Sequence, residues 1–231
     1  MYVGNILCIM RGEQQSRNNC REYCKEYRER REFFMDYSAS SVKYLLWFME
    51  TRETVRLRKD HAPEKVREMV IEENIYQQKD RRRIVEEYGC ISRRIDAMPE
   101  KLCDLLLRAD LGTAKLIVLI SAMASDRLLF ELIYEVYRVR IHLGEEEWAD
   151  SALNIFFSAK AEQSDLIAGW TEATIKKLKG TYTKFLLEAG LLRKEGGRTK
   201  KIVRPYIDQE LRQELLKESM ARYLYALTGE Q

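Results

Sequence analysis

The stretch Ser164–Arg204, SDLIAGWTEATIKKLKGTYTKFLLEAGLLRKEGGRTKKIVR, decides how the rest of the chain is read. Its first residues suit a short helix over 164–168, and Gly169-Trp170 follows as a turn. Thr171 is placed to cap a long helix that runs to Ala189 and is closed by Gly190. Along that helix Ile175, Leu178, Tyr182, Phe185, Leu186 and Ala189 share about one third of the circumference, the mark of an amphipathic helix. Lys176, Lys177 and Lys184 fall on the other side. Two short extended runs around Gly196-Gly197 then read as a β-hairpin. Short helix, glycine-containing turn, longer helix and hairpin is the order of a winged helix-turn-helix.

Charge follows the same boundary. Between Thr171 and Arg204 stand ten basic and three acidic residues, a net of +7, so the remainder of the chain carries −4 of the total of +3. A helix fits the major groove of DNA with its first turns at the base edges, while flanking cations neutralise phosphates and release counterions. On that geometry Thr171, Thr174 and Lys177 are the candidate base readers. Lys176, Lys184, Arg198, Lys200 and Lys201 are candidate backbone contacts, which position without reading sequence. The competing reading is a helix-plus-hairpin module that packs against or docks proteins, its lysines an ordinary wet face.

Working outward, three prolines, scattered glycines and a persistent 3.6-residue periodicity give a mainly α protein. The expected helices lie near 38–50, 63–74, 79–97, 99–109, 112–124, 126–142, 150–162, 164–168, 171–189 and 208–227. Pro63 and Pro99 suit first-turn positions, and Pro205 ends an extended stretch. The segment SDRLLFELIYEVYRVRIH from Ser125 carries Leu128, Leu129, Leu132, Ile133, Val136, Tyr137 and Ile141 at helical spacing, so this helix belongs in the core. Its Asp126, Glu131 and Glu135 read as a solvated face with Arg127 and Arg138 rather than as paired acid/base carboxylates. A second helix-turn-helix candidate lies upstream, where Arg81, Arg82 and Arg83 open a helix after the Ile75-Tyr76-Gln77 link. There Asp80, Glu86, Glu87 and Asp96 interleave with the arginines, and a salt-bridged surface helix accounts for them equally well. The expected division is a charged N-terminal extension over 1–34, a helical domain over 35–144 and a C-terminal winged-helix domain over 145–231.

Several classes are excluded. The longest apolar run, Leu116 to Ala124, is about half of the roughly 20 residues a membrane-spanning helix needs. Five cysteines at irregular spacing, with no secretory leader before them, point to a reducing cytoplasm. Cys20 and Cys24 stand four apart, but His61 and His142 are distant, so no four-ligand zinc site is completed and no metal is expected. Residues 11–32 are too charged to build a core, and the chain before Met35 reads as a helical extension or as sequence upstream of a later start. Phosphate-loop, dinucleotide, H-E-x-x-H and G-x-S-x-G motifs are absent. The composition is that of a binding or assembly protein with no cofactor and no catalytic residues, not an enzyme.

The run Glu72-Glu73-Asn74-Ile75-Tyr76-Gln77 with the arginines after it, the helix from Ser125, and TEATIKKLKGTYTKFLLEAGLL from Thr171 together resemble the BrxA-like family of bacteriophage exclusion (BREX) defence proteins. The resemblance covers roughly residues 35–215. It implies a mostly helical DNA-binding accessory protein with winged-helix elements and no catalytic site, acting with other phage-defence proteins that include a methyltransferase and an ATPase. The family's likeness to the RNA-binding factor NusB implies RNA as an alternative ligand. The inner-membrane label sometimes attached to the family finds no support in the hydropathy. The reading as a whole is a double-stranded DNA-binding protein of low sequence preference, with a protein-docking adaptor as the alternative.

Overall fold

The central element is a helix wrapped on all sides. In the computed structural model, which describes residues 36–196 and 200–230, the helix Leu111–Ser125 buries every residue from Leu116 to Met123. A helix apolar all round belongs inside a protein, and this one starts where the Asp110 side chain accepts from the N–H groups of Gly112 and Thr113.

The chain reaches that helix through four others. After a 3-10 turn, Ser40–Lys43, come α1 (Phe48–Asp60), α2 (Pro63–Glu72), α3 (Arg81–Asp96) and α4 (Glu100–Arg108), with Leu111–Ser125 as α5. Helices α1, α3 and α4 pack directly on α5. Next come α6 (Arg127–Leu132), a π-helical turn (Ile133–Tyr137) and α7 (Arg138–His142), which follow without a break. Then come α8 (Asp150–Gln163), α9 (Asp165–Ala168), α10 (Glu172–Glu188), strands β1 (Leu192–Lys194) and β2 (Lys200–Ile202), α11 (Gln209–Lys217) and α12 (Ala221–Thr228). The chain from Tyr37 onward is one unit, and its buried apolar residues, from Leu46 to Leu227, form one cluster.

The strands pair antiparallel, Leu192 opposite Ile202, Arg193 opposite Lys201 and Lys194 opposite Lys200. The other edge of β2 is covered: Trp148 N–H donates to the Lys200 carbonyl at 2.9 Å, and Ile202 N–H to that of Glu146 at 2.7 Å. Strand β2 thus becomes the middle of a three-segment ribbon, which leaves it no open edge. The π-helical turn inserts one residue into the helical repeat and aims the buried Tyr137 hydroxyl at the Val203 carbonyl, 2.5 Å away.

Two expected helices differ from those observed. The helix placed over 38–50 is a 3-10 turn followed by a linker, and α1 begins only at Phe48, because Trp47 sits in the left-handed region at φ 55° and breaks the backbone there. Threonines hide the apolar face of α1, where Thr51 and Thr54 are buried beside Val55. The helix placed over 208–227 is two helices, divided at Ser219 with φ 59°. The extension over 1–34, with Cys8, Cys20 and Cys24, lies outside the described residues, as does Arg198.

Candidate nucleic-acid interface

Helix α10 is held by its inner face. Leu178, Tyr182, Phe185 and Leu186 are buried there, and Tyr182 donates through its hydroxyl to the Asp126 carboxylate at 3.0 Å. Asp126 also accepts from the Ser41 hydroxyl and, as the cap of α6, from Leu129 N–H. Burial pushes the Asp126 carboxyl up in pKa despite these bonds and the nearby Arg94 guanidinium. Burial, then the Asp126 charge, raises the Tyr182 phenol well above its ordinary range. Arg94 of α3 lies between the rings of Trp47 and Phe185, 5.6 and 5.3 Å from their centroids, and donates to the Leu45 and Leu46 carbonyls. One half-buried carboxylate and one buried guanidinium therefore join α10 to the 3-10 turn, α3 and α6.

The outer face presents Ala173, Lys176, Lys177, Gly180 and Lys184. Among the described residues these three lysines have no ion-pair partner. A Cβ added at Gly180 would meet nothing within 4 Å, so the helix backbone is open to close approach between the lysines. Glycine costs an exposed helix interior about 1 kcal/mol relative to alanine, and no packing within the described residues requires it here.

The remaining expected contacts are more committed. Thr171 caps α10: its hydroxyl accepts from Thr174 N–H at 3.2 Å and lies 3.0 Å from the Thr174 hydroxyl. That cap takes up much of the hydrogen-bonding capacity of both candidate base readers. On the hairpin, Lys200 is paired with Asp150 at 3.0 Å, and Lys201 with Glu195 at 3.0 Å and Glu146 at 3.8 Å. Lys179, on the flank of α10, donates to Asn154 and stands over the Phe157 ring, and burial lowers its pKa. Arg204 donates to the Ile141 carbonyl. Of the +7 segment, the charge left free is concentrated on the helix.

The upstream arginines present a different picture. Arg81 grips Glu72 with both terminal nitrogens, at 2.8 and 2.5 Å, and Arg82 pairs with Glu86 at 3.3 Å. The contact between Arg94 and Phe185 joins α10 to the far end of α3. Twelve residues of helix, about 18 Å of axis, separate Arg94 from Arg82.

Of the carboxylates of the Ser125 helix, Glu135 is exposed and Glu131 pairs with Arg127 as the solvated-face reading has it, but Asp126 is the half-buried hub described above, and Glu131 and Glu135 both bind the buried Lys160 of α8, at 2.7 and 2.6 Å. Burial works against the Glu131 carboxylate, but Lys160, Arg127 and Tyr37 outweigh it and hold its pKa down. Sequence periodicity could not have found the links to Lys160, Tyr182, Ser41 and Tyr37, which lie at least 25 residues away on other parts of the chain.

Fold and surface together define a mainly helical protein that carries an anchored, lysine-faced helix followed by a short antiparallel hairpin. No helix among the described residues is long and apolar enough to cross a membrane. The family model described as BrxA matches residues 35–219, and a BREX protein BrxA from Bacillus cereus is 32% identical over 195 residues, covering 84% of this chain and 97% of that relative. The chain belongs to the BrxA family of BREX phage-defence proteins. The crystal structure of an uncharacterized protein from Magnetospirillum magneticum shares the fold, with a TM-score of 0.73 at 18% identity, covering 84% of this chain and 99% of that one.

Proposed function

We propose that the chain binds double-stranded DNA through the outer face of α10, with low sequence preference and without catalysis, as an accessory protein alongside other BREX defence proteins. In this reading α8, α9, α10 and the hairpin work as a winged helix-turn-helix. The observation that carries it is the set Lys176, Lys177 and Lys184 around Gly180: free cations on a rigidly held helix whose backbone a phosphate chain can approach closely.

Low sequence preference follows from side-chain chemistry. Specific base contacts in the major groove come chiefly from arginine or lysine on guanine and from asparagine or glutamine on adenine, and of these lysine lacks the rigid planar fork. The outer face of α10 has no arginine, asparagine or glutamine between Glu172 and Lys184. Lysines act as point charges toward phosphate, and the tied-up hairpin lysines leave the wing a supporting role.

The test is fluorescence anisotropy with two unrelated duplexes and a single-stranded RNA of matched length. The expected result is similar affinity for both duplexes, weaker binding of the RNA, and a loss of at least tenfold for Lys176→Glu combined with Lys184→Glu. Preference for the RNA would point to an RNA-binding role, and duplex binding untouched by the charge reversals would remove α10 from the interface.

A further inference from the structure

A cleft of about 390 Å³ opens between the 3-10 turn and the first turns of α3, within the roughly 300–1,000 Å³ of small-molecule sites. Its walls combine features that no element of the duplex-binding reading uses. Lys43, Arg82 and Arg83 bring positive charge, Tyr44 and Trp47 bring aromatic surface, and Glu87 brings a carboxyl; the two other acids of the lining are committed, Glu86 to Arg82 and Asp80 to capping α3. Lys43 and Arg83 have no ion-pair partner among the described residues.

Two of the polar groups in these walls are buried without partners. Among the described residues, Glu87 is 1% exposed with neither carboxyl oxygen hydrogen-bonded, and Trp47 is 7% exposed with its indole N–H unpaired. Leaving such groups unmet costs several kcal/mol in a folded interior. Trp47 is also held in the left-handed region, at φ 55° and ψ 51°, a strained conformation for a bulky residue, with Arg94 beneath its ring.

The wall chemistry selects among ligands. A simple anion meets Lys43 and Arg83 but is repelled by Glu87, and a simple cation meets the reverse. No group of three or more His, Cys, Asp or Glu side chains among the described residues is placed to hold a metal ion. A ligand that fits carries an anionic end, a flat ring, and paired donors at the far edge. Guanine is the base with that edge: adjacent ring N–H and amino groups for a carboxylate, beside a carbonyl that accepts from an indole N–H. Adenine and cytosine place an acceptor next to the amino group, which a carboxylate repels.

We propose that this cleft binds an unpaired guanine nucleotide, its base on Tyr44 and Trp47, its donor edge on Glu87, and its phosphate between Lys43 and Arg83. The donor edge and the carbonyl of the base supply the partners that the two buried groups lack. Flipped and single-stranded bases are recognised by this combination of stacking and edge hydrogen bonding. The source is a free mononucleotide or an unpaired residue of a nucleic-acid strand.

Isothermal titration of the full chain with guanosine and adenosine monophosphates, and with single-stranded pentanucleotides bearing a central guanine or adenine, tests it. The expected result is at least a tenfold preference for guanine in either format. Tight binding of the mononucleotide identifies a small-molecule site, and preference shown only by the strands identifies an unpaired residue in nucleic acid. Glu87→Gln is expected to erase the preference, and Arg83→Ala to weaken guanine binding tenfold or more, while Lys177→Ala with Lys184→Ala leaves it unchanged. Equal affinity for the two bases, no heat with either guanine ligand at millimolar concentration, or an unaltered preference in Glu87→Gln overturns the assignment. A circular dichroism melt of each variant separates lost binding from lost fold.

Discussion

Helices α3 and α10 are both rich in basic residues, yet they treat their charge in opposite ways. At the start of α3, Arg81 and Arg82 are bound to Glu72 and Glu86. On the outer face of α10, Lys176, Lys177 and Lys184 stand without such partners among the described residues. The difference is one of neighbours rather than of composition. Carboxylates one helical turn away or on the adjacent helix consume Arg81 and Arg82, and the acids of α10, Glu172 and Glu188, lie at its two ends. A count of basic residues therefore overstates a nucleic-acid surface, and the count that matters is of cations left unpaired by the fold.

The strongest way to break the contrast is to release α10 from its anchor. Asp126→Ala leaves the Tyr182 hydroxyl, the Ser41 hydroxyl and Leu129 N–H without their acceptor and Arg94 without its nearby carboxylate. A loss of about 3 kcal/mol or more in urea unfolding is expected. A loss below 1 kcal/mol would mean that this carboxylate does not hold α10.

A smaller effect is expected at Glu87, on the inner side of α3. Burial first, then the Glu50 charge, pushes its pKa from about 4.5 to about 7, with Arg83 opposing. The folded protein therefore retains a proton that the unfolded chain releases as pH rises from about 4.5 to 7, so stability declines across that window and levels off above it. Glu87→Gln should flatten this decline, leaving the variant more stable than the parent at pH 8 by on the order of 2 kcal/mol and equal to it near pH 4.5. Urea midpoints at the two pH values give the comparison; parallel curves for variant and parent would place the titration elsewhere.

Gly180→Ala sharpens the contrast on the α10 side. The open space around Gly180 predicts a gain of about 0.5–1 kcal/mol in stability from helix propensity. If a phosphate chain runs close to that backbone, duplex affinity falls while stability rises. Thermal melts and anisotropy on the same preparation show whether the two move in opposite directions. The smallest effect is expected from Arg81→Ala, which dissolves an exposed ion pair and should leave duplex affinity within twofold.

Much of the fold is legible in the residues. Thr171 and Gly190 mark α10 where they stand, Asp126 caps its helix, Pro63 opens α2, and Gly196, with φ 62°, marks the hairpin turn after β1. The exceptions have local causes. The early helix fails at Trp47, where a left-handed backbone no propensity favours is held by Arg94 and the core around it. The start of α1 is masked because threonines occupy core-facing positions. The candidate site is legible in part: the inner and outer faces of α10 follow from its period, but the neutralised state of Lys200 and Lys201 depends on Asp150, Glu146 and Glu195. Of these, Asp150 and Glu146 are brought to β2 only when residues 146–148 pair with it.

The central claim is that free lysines on α10, and not paired arginines on α3, carry the duplex. The most direct measurement is duplex affinity across a series of salt concentrations for the parent chain, for Lys176→Ala with Lys177→Ala and Lys184→Ala, and for Arg81→Ala with Arg82→Ala. The account predicts that the triple lysine variant loses about 2.7 from the magnitude of the log-log slope, close to 0.9 for each phosphate contact, while the arginine pair keeps the parent slope. An unchanged slope in the lysine variant, or an equal loss in the arginine variant, would contradict it.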